Sequence, residues 1–211
     1  MTIHKGAHTI QRLEEWRDLA GPKRASQWKD NRSAKEIARL WLASTALPPE
    51  IAEVCASHAD FGTPSSWQAE PEVRVRFDPF RGEPRNTDLL VLAEDHHGGY
   101  SIAVEAKADE EFGQPVRGAR KSARQRLLAN PDSKGVIRID NLISSLIGPS
   151  NIGDPEIESL RYQLFTAVAG TLAASIKVGH DRAVFLVHEF LTIATQTRLH
   201  TRNSRDLVLG Q

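Results

Sequence analysis

Residues 86 to 109 constrain the fold more tightly than any other stretch of the chain. They read Asn-Thr-Asp-Leu-Leu-Val-Leu-Ala-Glu-Asp, then His96-His97-Gly98-Gly99, then Tyr-Ser-Ile-Ala-Val-Glu-Ala-Lys-Ala-Asp. Two runs rich in Val, Ile, Leu and Ala around a short glycine-bearing turn predict a β-hairpin, with strands at about 87–95 and 100–108. If residues 95 and 100 close the turn, Asp88 lies opposite Lys107 and diagonal to Glu105. Side chains alternate along a strand, so Glu105 and Lys107 share a face with Ser101 and Ala103, and Ile102 and Val104 point into the other layer. The hairpin therefore gathers two carboxylates and one ammonium at one end of a sheet.

Diagonal neighbours in an antiparallel pair are about 7–8 Å apart. Two carboxylates at that spacing can reach one divalent ion, and hard oxygen donors suit Mg²⁺ or Mn²⁺ better than zinc. Lys107 is no ligand, but it can orient or deprotonate a water or neutralise charge developing on a phosphate. The chemistry that fits is metal-assisted hydrolysis of a phosphodiester. The competing account is a solvated salt-bridge ladder at a sheet edge, since Asp and Lys are ordinary cross-strand partners.

Asn86-Thr87-Asp88 followed by Glu105-Ala106-Lys107 resembles the signature of the PD-(D/E)xK nuclease superfamily, with Asn-Thr where the name-giving proline would stand. The resemblance implies a restriction-endonuclease-like fold: an α/β domain with a mixed β-sheet flanked by helices. It implies catalytic roles for Asp88, Glu105 and Lys107, with metal held by Asp88, Glu105 and the Ala106 carbonyl. A carboxylate from the helix before the first strand often completes such a site, which points to Glu53, with Glu36, Glu50 and Glu72 in competition. In some relatives polar residues of a later helix face the site, as Tyr162 and Gln163 could here. The activity implied is a Mg²⁺-dependent (or Mn²⁺-dependent) endonuclease acting on nucleic acid, DNA before RNA, for which a homodimer is one compatible assembly. The alternative is a noncatalytic DNA-binding or protein-interaction module that retains the fold.

Composition narrows the class. Lys plus Arg and Asp plus Glu both number 27, so the net charge is zero, which argues against nonspecific coating of nucleic acid and leaves room for a local basic face. No apolar run is long enough to span a bilayer and residues 1–30 lack a signal-peptide core, so the expected setting is cytoplasmic, with no membrane partner. The lone Cys55 excludes an intrachain disulfide and a cysteine zinc site, and reads as a small buried hydrophobe.

Along the chain, residues 1–8 read as a frayed terminus in which His4 and His8 find no third ligand. Helical spacing runs from Thr9 to Gly21, from Ser33 to about Ser44 and from Glu50 to about Ser57. Trp16, Trp28, Trp41 and Trp67 all fall in the first third, as an aromatic core or as a stacking surface. Val73–Phe77 alternates as a half-buried strand. Asp109-Glu110-Glu111 follows the hairpin, either as turn acids or as donors to a second ion. Arg117, Arg120, Lys121 and Arg124, spaced i, i+3, i+4 and i+7, would form a basic stripe with Arg126 at its edge. It is either a nucleic-acid-binding face or a solvated one.

Residues from Val136 to Leu146 are ambiguous between strand and helix, and Pro155 to about Val178 reads as the longest helix, with Leu160, Leu172 and Ile176 on its apolar side. Ala183–Val187 reads as a fully buried strand with a parallel partner. The expected organisation is a helical lobe at 1–60, a nuclease-like core at 61–195 and a basic tail at 196–211.

Overall fold

A computed structural model describes residues 1–192. The expected basic tail, with Arg198, Arg202 and Arg205, lies outside the described residues. Among the described residues the fold is α/β, with one six-stranded mixed sheet flanked by helices. The strands are β1 (Thr2–Lys5), β2 (His8–Thr9), β3 (Ser66–Val75), β4 (Arg85–Asp95), β5 (Gly98–Lys107) and β6 (Arg182–Glu189). Their spatial order is β2-β1-β3-β4-β5-β6. Neighbours are antiparallel except for β1 with β3 and β5 with β6.

The hairpin forms, with a tighter turn than expected. Asp95 pairs with Gly98, leaving His96-His97 as a two-residue loop, and Gly98 takes φ +105°. Neither His96 nor His97 takes a positive φ; the left-handed position falls on the residue after them, as in a turn closed by a glycine bulge, and glycine adopts it without a Cβ clash. Asp95 also holds the loop by accepting the His97 N–H at 2.8 Å and pairing with Arg182 of β6. The register is therefore two residues from the expected one: Leu89 faces Val104, and one step further Asp88 stands level with Glu105 rather than Lys107. A shift of two preserves the face of every side chain, whereas a shift of one would have reversed it.

The first residues are not frayed. β1 pairs with β3 and β2 folds back on β1, so the N-terminus forms one edge of the sheet. The strand expected at Val73–Phe77 instead runs from Ser66 to Val75 and carries Pro71 and Glu72 inside it. Helices α1 (Leu13–Ala20), α2 (Ser33–Ala43) and α3 (Pro49–Ala56) cover one face. Their Trp16, Ile37, Trp41, Ile51 and Cys55 share one core with Trp67, Leu89, Val91, Ile102 and Val104 of the sheet. Trp41 meets Trp67 edge-on at 5.5 Å, an aromatic core rather than a stacking surface.

Between β5 and β6 come α4 (Val116–Ala129), α5 (Gly135–Ile147), the short α6 (Pro155–Ser159) and α7 (Tyr162–Lys177). The ambiguous stretch at 136–146 is thus helical. Helix α7 packs on the other sheet face, and its buried positions are mostly small: Ala167, Gly170, Thr171, Ala174 and Ser175. Small side chains let a helix approach a sheet closely. Leu172 and Ile176, expected on the buried side, are exposed. The long helix is also divided, because Leu160 and Arg161 turn extended to pair with Gln114–Val116. A second core joins α4, α5 and Phe165 of α7. Strand β6 runs parallel to β5 as expected, but it is the outermost described strand, and its Val187 is exposed rather than fully buried. No helix among the described residues is long and apolar enough to cross a membrane.

Candidate active site

Three neighbouring strands each bring one carboxylate to the same level and face. Register places Glu72 of β3 beside Asp88 of β4, because Pro71 pairs with Leu89 and Val73 with Thr87. Glu105 of β5 follows on the far side of Asp88. Glu72 was only a competitor of Glu53 in the sequence, and it is the one that arrives at this row. Its φ of +52° puts a non-glycine residue in the left-handed region, which costs of the order of 1 kcal/mol and needs support from its surroundings. Asn86 supplies part of it by donating to the Glu72 carboxylate. Lys5 of β1 supplies more, its ammonium reaching the Pro71 and Glu72 carbonyls at 2.8 and 3.0 Å.

The row forms the floor of a cavity of about 1070 Å³, walled by the α1 end, the Gly21–Arg24 loop, the start of α2 and Gln163 of α7. Asp88 accepts the Ala106 N–H at 2.8 Å, which turns its carboxylate toward β5. Burial raises the Asp88 carboxyl to about 7, and the charges of Glu105 and Glu72 push the same way against that hydrogen bond. Glu72 is raised as well, chiefly by burial.

Glu105 is 3% exposed and surrounded by donors. Lys107 Nζ approaches its Oε1 at 2.7 Å, Gln163 Nε2 donates to the same oxygen at 2.5 Å, and Arg85 pairs with Oε2. The Arg85 stem reaches that position by crossing Gly170, where a Cβ would lie 3.1 Å from Arg85 Cγ. Lys107 also lies 5.3 Å above the Phe112 ring. Gln163 thus enters the site, whereas Tyr162 lines a different cavity.

Three hard oxygen donors and a neighbouring main-chain carbonyl at Ala106 are the donor types that Mg²⁺ or Mn²⁺ takes. Their mutual repulsion, which adds to burial in raising Asp88, is what a divalent cation relieves. As arranged, however, Glu105 is engaged by Arg85, Lys107 and Gln163, and Glu72 by Asn86. Among the described residues no three His, Cys, Asp or Glu side chains converge as a group that could hold a metal ion. Glu105 would have to exchange a partner to take an ion.

Other expected residues are placed elsewhere. Glu53 is exposed on α3 and absent from the cavity wall, because Ile51 and Cys55 turn the opposite face of that helix to the core. The basic stripe on α4 is interrupted. Arg120 is 7% exposed and paired with Asp140 and with Glu158 at 2.7 Å. Arg117, Lys121 and Arg124 remain exposed but line neither large cavity. Of the acids after the hairpin, Asp109 pairs with Arg32 at 2.7 Å, and Glu110 accepts from Ser33 and from its own turn, tying β5 to the start of α2.

The sequence held a clue to Glu72 in its neighbour: proline within a strand run marks a break in the ladder, where a side chain can be re-aimed. Arg85 carried no comparable sign. A family model described as a domain of unknown function (DUF6946) matches residues 9–207. No curated protein and no solved structure matches the chain.

Proposed function

Because the chain belongs to the DUF6946 family, whose description assigns no activity, the reading rests on the site, and we propose a metal-dependent nuclease of the restriction-endonuclease-like type. The observation that carries it is the row of Glu72, Asp88 and Glu105 on adjacent strands with Lys107 two residues beyond Glu105. Asp88 and Glu105 would hold Mg²⁺ or Mn²⁺ with the Ala106 carbonyl, and Glu72 takes the place expected of Glu53. The ion, when bound, supplies Lewis acidity and lowers the pKa of water.

The chain's own residues do the rest. Lys107, released from Glu105, offers its ammonium to the attacking water or to the phosphate oxygens. Gln163 keeps Glu105 oriented, and Asn86 keeps Glu72 oriented. Lys23 and Arg24 at the cavity wall are exposed cations suited to the flanking phosphates of DNA. Purified protein with Mn²⁺ should cut DNA, and both Asp88→Ala and Lys107→Ala should abolish it. Cutting that survives both substitutions would sink the assignment.

One observation favours the second reading, a noncatalytic DNA-binding or interaction module that retains the fold. Arg85 and Lys107 together already neutralise Glu105. Calorimetry separates the two: the nuclease binds Mn²⁺ through Asp88 and Glu105, and the module does not.

A further inference from the structure

Beside the carboxylate cavity lies a second one, of about 1010 Å³, with the opposite electrostatic character. Arg81, Arg126, Lys134 and Arg138 line it, joined by Phe80 and Tyr162. Arg81, Arg126 and Lys134 have no carboxylate within ion-pair distance among the described residues, and only Arg138 is neutralised, by Asp78 at 2.6 Å. One acid, Asp132, lines the wall and is exposed. The Arg126 guanidinium lies over the start of α5, 3.5 Å from where a Gly135 Cβ would stand. That helix begins there without a side-chain cap, so its first-turn N–H groups add to the positive field. The Tyr162 hydroxyl is raised by burial, and the charges of Arg138 and Arg126 oppose the shift.

The two cavities share their dividing walls. Gly113 and Gln163 face the first, and the adjoining Gln114 and Tyr162 face the second. In the loop before β4, Glu83 and Pro84 line the first and Pro79 to Arg81 the second. Consecutive Cα atoms are about 3.8 Å apart, so the cavities abut.

We infer that the Arg81–Arg126–Lys134 cavity is a subsite for a single-stranded segment of nucleic acid continuing from the carboxylate site, with phosphates on the cations and a base against Phe80 or Tyr162. This rests on the nuclease reading for the strand's direction, not for the binding itself. Unpaired guanidinium groups suit phosphate oxygens. Half-buried aromatic rings in a concavity suit an unstacked base, which a duplex does not offer.

The test is fluorescence anisotropy of a labelled oligothymidylate about 12 nucleotides long, a length within the range of known single-strand sites, measured in EDTA so that no cleavage intervenes. Arg81→Gln combined with Arg126→Gln should weaken binding at least tenfold. It should also reduce the slope of log K against log salt by about 1.4, since each single-strand phosphate contact contributes about 0.7. Both side chains are exposed, so the variant should keep its far-ultraviolet circular dichroism; Lys134→Gln alone should give about half the slope change. Neutralising Arg117, Lys121 and Arg124 together should leave binding within twofold.

Wild-type affinity in the double variant would overturn the subsite. So would a duplex of the same length that binds as tightly, or inorganic phosphate that competes as well as the oligonucleotide. Arginine-dependent binding without any cleavage in Mn²⁺ would instead defeat the nuclease reading and leave the subsite standing.

Discussion

The two cavities are neighbours built in opposite ways. Functional groups of the first come mainly from three adjacent strands, where register brings Asp88 and Glu105 level and a left-handed residue in β3 sets Glu72 beside them. Those of the second come from a loop (Arg81), the last turn of α4 (Arg126), the residue before α5 (Lys134) and the first residue of α7 (Tyr162). Strands hold side chains to a fixed spacing, so the acidic row is rigid and its charges stay close; burial first, and then the charges of Glu105 and Glu72, raise Asp88. Arg126 and Lys134 approach each other and Tyr162 because the second core packs α4, α5 and α7 together. Like charges held together on strands favour a cation between them, and the second cavity's cations, of which only Arg138 has a carboxylate partner among the described residues, favour an anion.

The sharpest test of that contrast is Lys107→Ala, which should remove detectable cleavage, a loss of on the order of 10²–10⁴-fold or more for a positioned proton-transfer or charge-stabilising group. Oligonucleotide cleavage under single-turnover conditions measures it. A loss below tenfold would move the chemistry away from the acidic row. Next in size, Glu72→Gln should weaken Mn²⁺ binding by roughly 10–100-fold by calorimetry, comparable to the loss of a supporting carboxylate in a metal site. Unchanged affinity would reduce the row to Asp88 and Glu105.

Smaller effects concern the scaffold. Arg120→Ala leaves Asp140 and Glu158 without their cation and should cost about 2 kcal/mol in urea unfolding. That is less than the roughly 3–5 kcal/mol for a fully buried pair, because Asp140 is partly exposed. If Arg120 instead served a nucleic-acid face, its loss would lower DNA affinity and leave stability unchanged. The smallest expected effect is at the far end of the hairpin. Arg182, with help from the Gly62 and His97 N–H groups, holds the Asp95 carboxyl well below the usual carboxylate range. A depressed folded value means this contribution is fully present above the unfolded carboxyl's value of about 3.9. It is lost as pH falls below that toward the folded value. Asp95→Asn should therefore flatten the acid limb of a stability–pH profile and leave both cavities unchanged. An acid limb as steep as that of the wild-type protein would refute the role given to Arg182.

Much of the acidic site was legible because it depends on short-range rules. Alternation and a glycine turn identify β4 and β5, and they put Asp88, Glu105 and Lys107 on one face whichever even register the turn selects. Glu72 was harder to read. Its strand contains a proline, and its position depends on a left-handed residue stabilised by Lys5 from a segment that reads as a loose terminus. Arg85 was not legible at all, because its partner Glu105 is 20 residues away and the contact depends on Gly170 leaving room for its stem. The α4 stripe misled for a related reason. Helical spacing tells which residues share a face, and only packing reveals that Asp140 and Glu158 bury Arg120 in that face.

The sequence by itself determined the hairpin, the first three helices and the face carrying the acids, since backbone periodicity and turn chemistry act within a few residues. Tertiary structure alone decided which carboxylate joined Asp88 and Glu105, which cations have no carboxylate partner among the described residues, and where the two cavities meet. Those outcomes are set by distances between segments far apart in the chain, which no local pattern encodes.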